Sequence, residues 1–272
     1  MRVTDLKSKK GRGEKVVMVT AYDASMARWV DAAGVDVILV GDSLGMVIEG
    51  HDTTLPVKLS AIIHHTRAVC RGTRRALVVA DMPFLTYQVS IPSALRNAGR
   101  LLQEGRAAAV KIESGFPVLE VIRRLVESGI PVMGHLGLTP QSVHQAGGFR
   151  SPIRTWGQAQ QLEEEARALE AAGIFALVLE SVPAEVAETV TDQLSIPTIG
   201  IGAGPHCDGQ VLVSYDLLGL YDGFVPPFVK RYARLGEEIL EAVKTYAEEV
   251  RSGQFPSQIQ TVYHLSEKQK SR

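Results

Sequence analysis

Residues 170–180 read EAAGIFALVLE. The stretch ends a helical pattern, turns at a glycine suited to the helix C′ position, runs through an apolar strand and stops at an acid. The same plan recurs at 32–42 (AAGVDVILVGD) and 103–113 (QEGRAAAVKIE). Three copies of one helix–strand unit mark a weak internal repeat. Working outward from them, apolar runs place strands at 16–20, 35–41, 76–80, 107–112, 130–134, 174–179, 197–201 and 211–214. These runs are continuously apolar rather than alternating, as expected for parallel strands covered on both sides. Helical patterns fill most gaps, near 24–33, 59–71, 93–104, 117–128, 157–172 and 184–193. The connection from Ile201 to Val211 is too short for a crossover helix. Eight strands with intervening helices predict an α/β fold, a (β/α)8 TIM barrel. An open doubly wound sheet is the structural alternative.

The rest of the chain fits one barrel domain over residues 1–272, with a short N-terminal segment. A last helical pattern near 235–251 carries Ile239, Val243, Tyr246 and Val250 on one face, predicting that it packs on the outside of the barrel. The tail after Gly253 is expected to lie outside the core, and no linker divides the chain.

The composition is 45% hydrophobic and 22% charged, average for a globular protein. The 29 basic and 30 acidic side chains nearly cancel, which gives no reason to expect nucleic acid or an anionic membrane as partner. Lys7, Lys9, Lys10 and Arg12 form a short basic cluster, read as a solvated N-terminal segment. Cys70 and Cys207 make neither a CxxC pair nor a zinc-ligand spacing. No apolar leader follows the N-terminal charges, and the apolar stretch from Trp29 to Ile48 is broken by Asp31, Asp36 and Asp42. A cytoplasmic setting is expected.

In a barrel of this kind the active site lies at the C-terminal ends of the strands. That rule selects Tyr22 and Asp23 after the first strand, Asp42 and Ser43 after the second, and Asp81 after the third. It adds Lys111 and Glu113 on the fourth, His135 on the fifth, and Glu180 and Ser181 after the sixth. Any single acid here is better read as a helix N-cap or a solvated loop residue. So many at successive strand ends make a site. Lys111 and Glu113 stand two apart and therefore share one face of their strand. Carboxylates without a cysteine or a histidine pair suit a hard divalent cation, Mg2+ or Mn2+. Asp42 and Asp81 are the direct candidates, and Glu113 binds directly or through a water. His64 and His65 are adjacent on a helix and do not converge on one metal, while His51 and His144 stay unassigned. The run GIGAGPHCDGQ (200–210) reads as a tight turn or as a phosphate cradle.

Seven motifs together resemble ketopantoate hydroxymethyltransferases: TAYD (20–23), GDSLGMVIEGHDTTLPV (41–57), ADMPF (80–84), VKIESG (110–115), VMGHLGLTPQ (132–141), LVLES (177–181) and GIGAGPHCDGQVLV (200–213). The resemblance implies a (β/α)8 barrel of the phosphoenolpyruvate/pyruvate-binding type. It implies transfer of a one-carbon unit from 5,10-methylenetetrahydrofolate to α-ketoisovalerate, giving ketopantoate for pantothenate and coenzyme A. It implies Asp42 and Asp81 as Mg2+ ligands with Glu113 completing the surroundings. Ser43, Lys111 and His135 would hold the keto acid, and Glu180 would be the general base of a magnesium-enolate mechanism. It also implies a homo-oligomer, commonly a decamer. The tail beyond about residue 258 does not match the family pattern.

Three other chemistries remain open at the level of sequence. Lys111 could form a Schiff base with the ketone, as in aldolases with a covalent intermediate. A carbon–carbon lyase related to phosphoenolpyruvate mutase and isocitrate lyase would share barrel, Mg2+ and keto acid. Such lyases need a catalytic cysteine in a mobile loop, which neither Cys70 nor Cys207 suits. A non-catalytic metabolite-binding barrel would leave the strand-end acids without a purpose.

Overall fold

The computed structural model describes residues 1–148 and 153–261; the final residues of the tail lie outside the described region. Eight strands form a closed parallel barrel: β1 (Val16–Thr20), β2 (Val37–Val40), β3 (Leu77–Asp81), β4 (Ala109–Glu113), β5 (Val132–Gly137), β6 (Ala176–Glu180), β7 (Thr198–Ile201) and β8 (Gly209–Leu212). Each pairs with the next, and β8 pairs with β1, so the open doubly wound sheet is excluded. No helix separates β7 from β8, as the short connection requires.

The helices are α1 (Val3–Gly11), α2 (Ala24–Ala32), α3 (Leu44–Val47), α4 (Leu59–Gly72), α5 (Ile91–Gln103), α6 (Leu119–Glu127), α7 (Val143–Ala146), α8 (Trp156–Ala171), α9 (Ala184–Gln193), α10 (Ser214–Leu217) and α11 (Leu235–Ser252). Their starts follow capping chemistry. Asp23 accepts the Ser25 and Met26 backbone N–H groups at the head of α2, and Thr155 and Gln158 form a capping box on α8. The repeat ends its helices as read in two copies: Gly34 (φ +86°) and Gly173 (φ +97°) take the left-handed C′ position. In the third copy Arg106 takes the left-handed conformation instead. Gly105 serves there as a close approach, since a Cβ would come 2.5 Å from the Leu101 carbonyl oxygen.

Strand alternation splits the core in two. Val110, Ile112, Leu177 and Leu179 face the surrounding helices. Val16, Met18, Val37, Val79, Ala109, Met133, Ala176, Val178 and Ile199 fill the lumen. Leu6 of α1 joins that inner cluster fully buried and plugs the N-terminal end of the barrel. Half of the basic cluster, Lys9 and Lys10, is therefore docked rather than solvated, while Lys7 and Arg12 stay exposed. Lys9 pairs with Asp36 at 2.8 Å and Lys10 with Asp208 at 2.9 Å, fixing α1 across the bottom of the strands.

The helix α11 corrects another expectation. Its stripe Ile239, Val243, Tyr246 and Val250 is 45–59% exposed, and the helix buries no residue. The pattern is amphipathic as read, but an apolar stripe states only that a face suits a partner. After α10 the chain leaves the barrel wall, with Tyr232 and Leu235 N–H groups bonded back to the Leu217 and Leu218 carbonyls. Among the described residues no helix is long and apolar enough to cross a membrane.

Leu6→Ala is expected to destabilise the protein by about 2–5 kcal/mol through the void left beneath the lumen. Urea unfolding reads this directly, and a loss below about 0.5 kcal/mol would refute the plug.

Candidate active site

The lumen face of the strands turns from apolar to charged at the C-terminal end. Asp81 continues the inward line Leu77–Val79, Lys111 and Glu113 continue Ala109, His135 follows Met133, and Glu180 follows Val178. Register then sets neighbours: Asp81 lies opposite Lys111, Glu113 opposite His135, and Glu180 opposite Gly137. All of these charged residues line one cavity of about 700 Å³, joined by Asp42 and Ser43 from the β2–α3 loop.

A line of polar contacts crosses the mouth. Lys111 Nζ is 2.9 Å from Asp81 Oδ1 and 3.3 Å from His135 Nδ1, and His135 Nε2 is 3.2 Å from Glu180 Oε2. Asp81 Oδ2 accepts the Asp42 backbone N–H at 3.0 Å, tying the β2 loop to β3. Tyr22, fully buried, holds Ser43 Oγ at 2.8 Å through its hydroxyl. Asp81 Oδ1 and His135 Nε2 are buried without an aligned hydrogen bond among the described residues, so both atoms are open to a ligand.

Protonation follows from burial and charge. Burial opposes the Lys111 ammonium, but Asp81, Asp42 and Glu113 together outweigh it and raise its pKa. Burial, reinforced by the Lys111 charge, lowers the pKa of His135 and keeps the ring neutral. An ammonium only donates, so Nδ1 accepts from Lys111 and the ring proton sits on Nε2, facing Glu180. Burial pushes Asp42 up to about 7, with Asp81 adding to the rise. Glu113 is likewise raised well above the usual carboxylate range by burial and then by Asp42. Three buried carboxylates thus face one ammonium.

The structure also sorts the remaining sequence candidates. Asp23 is a helix cap, not a site acid. Ser181 holds a left-handed φ of +52° directly after Glu180. Beside it, Gly137 (φ +95°) comes so near the Glu180 carbonyl that a Cβ would stand 2.2 Å from its oxygen. His64 and His65 sit on α4, with His65 Nδ1 2.6 Å from the Tyr22 carbonyl oxygen, and His51 and His144 are exposed. The 200–210 glycines make a tight turn with close approaches, since a Cβ on Gly202 would strike the Phe228 ring and one on Gly204 would strike Ala184.

Sequence reasoning missed Gln141. Its backbone N–H reaches both Glu113 carboxylate oxygens at 3.1 Å, and its Nε2 donates to Asp42 Oδ2 at 2.8 Å and to the Met82 carbonyl at 3.0 Å. Tyr87 in turn donates to Gln141 Oε1 at 3.0 Å. The one signal was Pro140, which opens the turn Pro140–Ser142 that brings Gln141 over the mouth.

Oxygen donors carrying surplus negative charge fit a hard divalent cation. Among the described residues no three His, Cys, Asp or Glu side chains form a ready-made metal cage. A hard divalent cation that keeps much of its own water needs only one or two such carboxylates, so the donor set remains compatible with one.

Asp42 has a folded-state pKa above its unfolded value, so its folded form holds the proton more tightly. Metal-free protein should therefore lose stability as pH rises from about 4 to about 7 and level off beyond. Urea unfolding in EDTA across that range measures the slope. Asp42→Asn should reduce it, and an unchanged slope would remove Asp42 as its source.

The chain matches the ketopantoate hydroxymethyltransferase family model over residues 1–258. It is 55% identical over 253 residues to the 3-methyl-2-oxobutanoate hydroxymethyltransferase of Syntrophus aciditrophicus, covering 93% of each chain. It is 56% identical over 259 residues to the enzyme of that name from Moorella thermoacetica, covering 94% of this chain and 96% of the relative. Among solved structures, 2,3-dimethylmalate lyase superposes with a TM-score of 0.60 at 17% identity, covering 99% of this chain and 91% of that one. Phosphonopyruvate hydrolase, in complex with oxalate and Mg2+, gives 0.61 at 13% identity, covering 93% and 88%. Both are likenesses of fold. The length and identity of the sequence matches decide the family: this chain is a member of the ketopantoate hydroxymethyltransferases.

Proposed function

We propose that the protein forms ketopantoate from 3-methyl-2-oxobutanoate, 5,10-methylenetetrahydrofolate and water, releasing tetrahydrofolate. The observation that carries this reading is the line Asp81–Lys111–His135–Glu180 across one cavity, with a cation-seeking cluster at one end and a lone carboxylate at the other.

The keto acid enters with its oxygens toward β2–β4. Lys111 keeps its ammonium there and attracts the substrate carboxylate by charge. Ser43, aimed by Tyr22, offers a hydroxyl to the same end. Asp42 and Asp81 would hold Mg2+, with Glu113 beside them; when bound, the metal supplies a Lewis acid that polarises the keto oxygen. His135 presents its Nε2 proton toward Glu180 Oε2 and holds that carboxylate in place. Glu180 then takes the proton from C3 of the keto acid, and C3 bonds to the one-carbon unit of the folate. Both bonds from that carbon to folate nitrogens break as water supplies the hydroxyl and tetrahydrofolate leaves with the nitrogens protonated. A Schiff base through Lys111 needs a neutral amine, and the three carboxylates act against that.

The expected results are ketopantoate from the two substrates with Mg2+, none in EDTA, and recovery when Mg2+ is restored. Substrate deuterium at C3 should wash out without folate, and Glu180→Gln should slow that exchange at least ~100-fold, the usual scale of a general base. Wild-type exchange in Glu180→Gln would remove Glu180 from the role. A borohydride-trapped adduct on Lys111 would overturn the charge-only role of that residue.

The protein is further proposed to act as a homo-oligomer, the decamer being the family's size. The support is exposed apolar surface, on the α11 stripe and at Trp29 and Trp156, which association would cover. Light scattering should give a multiple of the 29.5 kDa chain mass, and a monomer at micromolar concentration would refute it.

A further inference from the structure

The cavity has two unlike halves. Over β2–β5 it is lined by the charged cluster already described. Over β6–β8 its wall is Val182, Pro183, Gly202, Phe224 and Phe228, and beyond Glu180 at the end of β6 it carries one further carboxylate, Asp216. Asp216 sits on α10, directly after β8. Among the described residues no hydrogen bond or ion pair reaches its side chain, and the steps derived above leave it without a task. Burial pushes its carboxyl up to about 6 against the pull of Arg231, as expected for an acid that lacks a donor.

The aromatic part of this wall is fixed in place. Gly202 has φ +61°, and a Cβ there would stand 2.5 Å from the Phe228 ring, so the ring rests on bare backbone. Gly202 follows Ile201, the register partner of Glu180, and the Ser181 N–H bonds to the Ile201 carbonyl. Phe228 therefore lines the same cavity as the carboxylate assigned as base, packed one residue beyond that carboxylate's register partner.

We propose that this half of the cavity seats the pterin ring of the reduced folate, with Asp216 accepting its 2-amino and N3–H hydrogens and Phe228 packing on its face. The assignment rests on the transferase reading and deepens it. A 2-amino-4-oxo ring presents two parallel N–H donors on one edge, matching the two oxygens of a carboxylate. Its flat faces suit an aromatic and proline wall. The cavity of about 700 Å³ lies within the usual range for small-molecule sites. The location also meets the chemistry: the one-carbon unit must approach C3 on the side where Glu180 removes its proton. The anionic glutamate end of the folate is repelled by Asp216, so that end points out of the mouth.

The test uses calorimetry with 5-formyltetrahydrofolate, an air-stable reduced folate, on the full chain with Mg2+. Asp216→Asn should weaken binding about 10- to 100-fold, the loss expected for a charge-assisted pair. Phe228→Leu should weaken it as well. In wild type, 6-methyltetrahydropterin should compete with the folate, whereas p-aminobenzoylglutamate should not. Wild-type affinity in Asp216→Asn, or equal competition by p-aminobenzoylglutamate, would overturn the assignment. Binding of 3-methyl-2-oxobutanoate, measured in the same way, reports the integrity of the mouth. Its loss in Asp216→Asn together with folate binding would assign the residue a structural role instead. No folate binding by the wild type would overturn the transferase reading itself.

Discussion

One ammonium stands against three carboxylates inside the mouth of this barrel. Lys111 sits 2.9 Å from Asp81, and Asp42 and Glu113 add their charge to the same pocket. Burying an uncompensated ion costs several kcal/mol even after relaxation, so the arrangement persists only where backbone and side-chain donors take up the remainder. Gln141 does this for Asp42 and Glu113, and the Asp42 N–H does it for Asp81. What remains is a surplus of negative charge on oxygen atoms, held by strands too well packed to move apart. On the proposed reading, a divalent cation and an anionic keto acid would together answer that surplus: the cation would neutralise the carboxylates, and the substrate would meet Lys111.

The barrel and half of its site were legible because parallel strands write both in the same letters. An apolar run that ends in an acid is a strand followed by a lumen-facing charge, which found Asp81, Glu113 and Glu180. The same letters mislead where a helix begins at once: Asp23 stands at a strand end like Asp42, yet its carboxylate caps α2. Gln141 was not legible because its role depends on a turn folding back across the mouth to Asp42, ninety-nine positions away. Tyr22 was noted for its position alone, since its hold on Ser43 exists only after β1 and β2 pair. For α11 the periodicity was legible and the partner was not, because an amphipathic face carries no address.

The two halves of the cavity divide labour by physical character. The β2–β5 half is crowded with charge, with Lys111 and the Ser43 hydroxyl as donors among its carboxylates. The β6–β8 half is apolar, aromatic and nearly free of charge, suited to a flat ring. Glu180 lies on the seam, touching His135 on one side and adjoining the Phe228 wall on the other. A base at that boundary can act on the keto acid while a second substrate covers it and excludes water.

A shared barrel does not carry shared chemistry. Solved structures of like fold include a 2,3-dimethylmalate lyase and a phosphonopyruvate hydrolase, and the lyase alternative needs a reactive thiol at the mouth. Neither cysteine lines the cavity. Cys70 is on α4, its thiol pushed up to about 11 by burial, and Cys207 is fully buried with its pKa raised for the same reason. A thiol held neutral and away from the substrate supplies neither acid nor nucleophile. In its place this chain sets a carboxylate, Glu180, opposite the metal-seeking cluster. As the proposed base, that carboxylate would remove a proton and leave the carbon skeleton intact, which is the demand of bond formation at C3 and not of cleavage beside it.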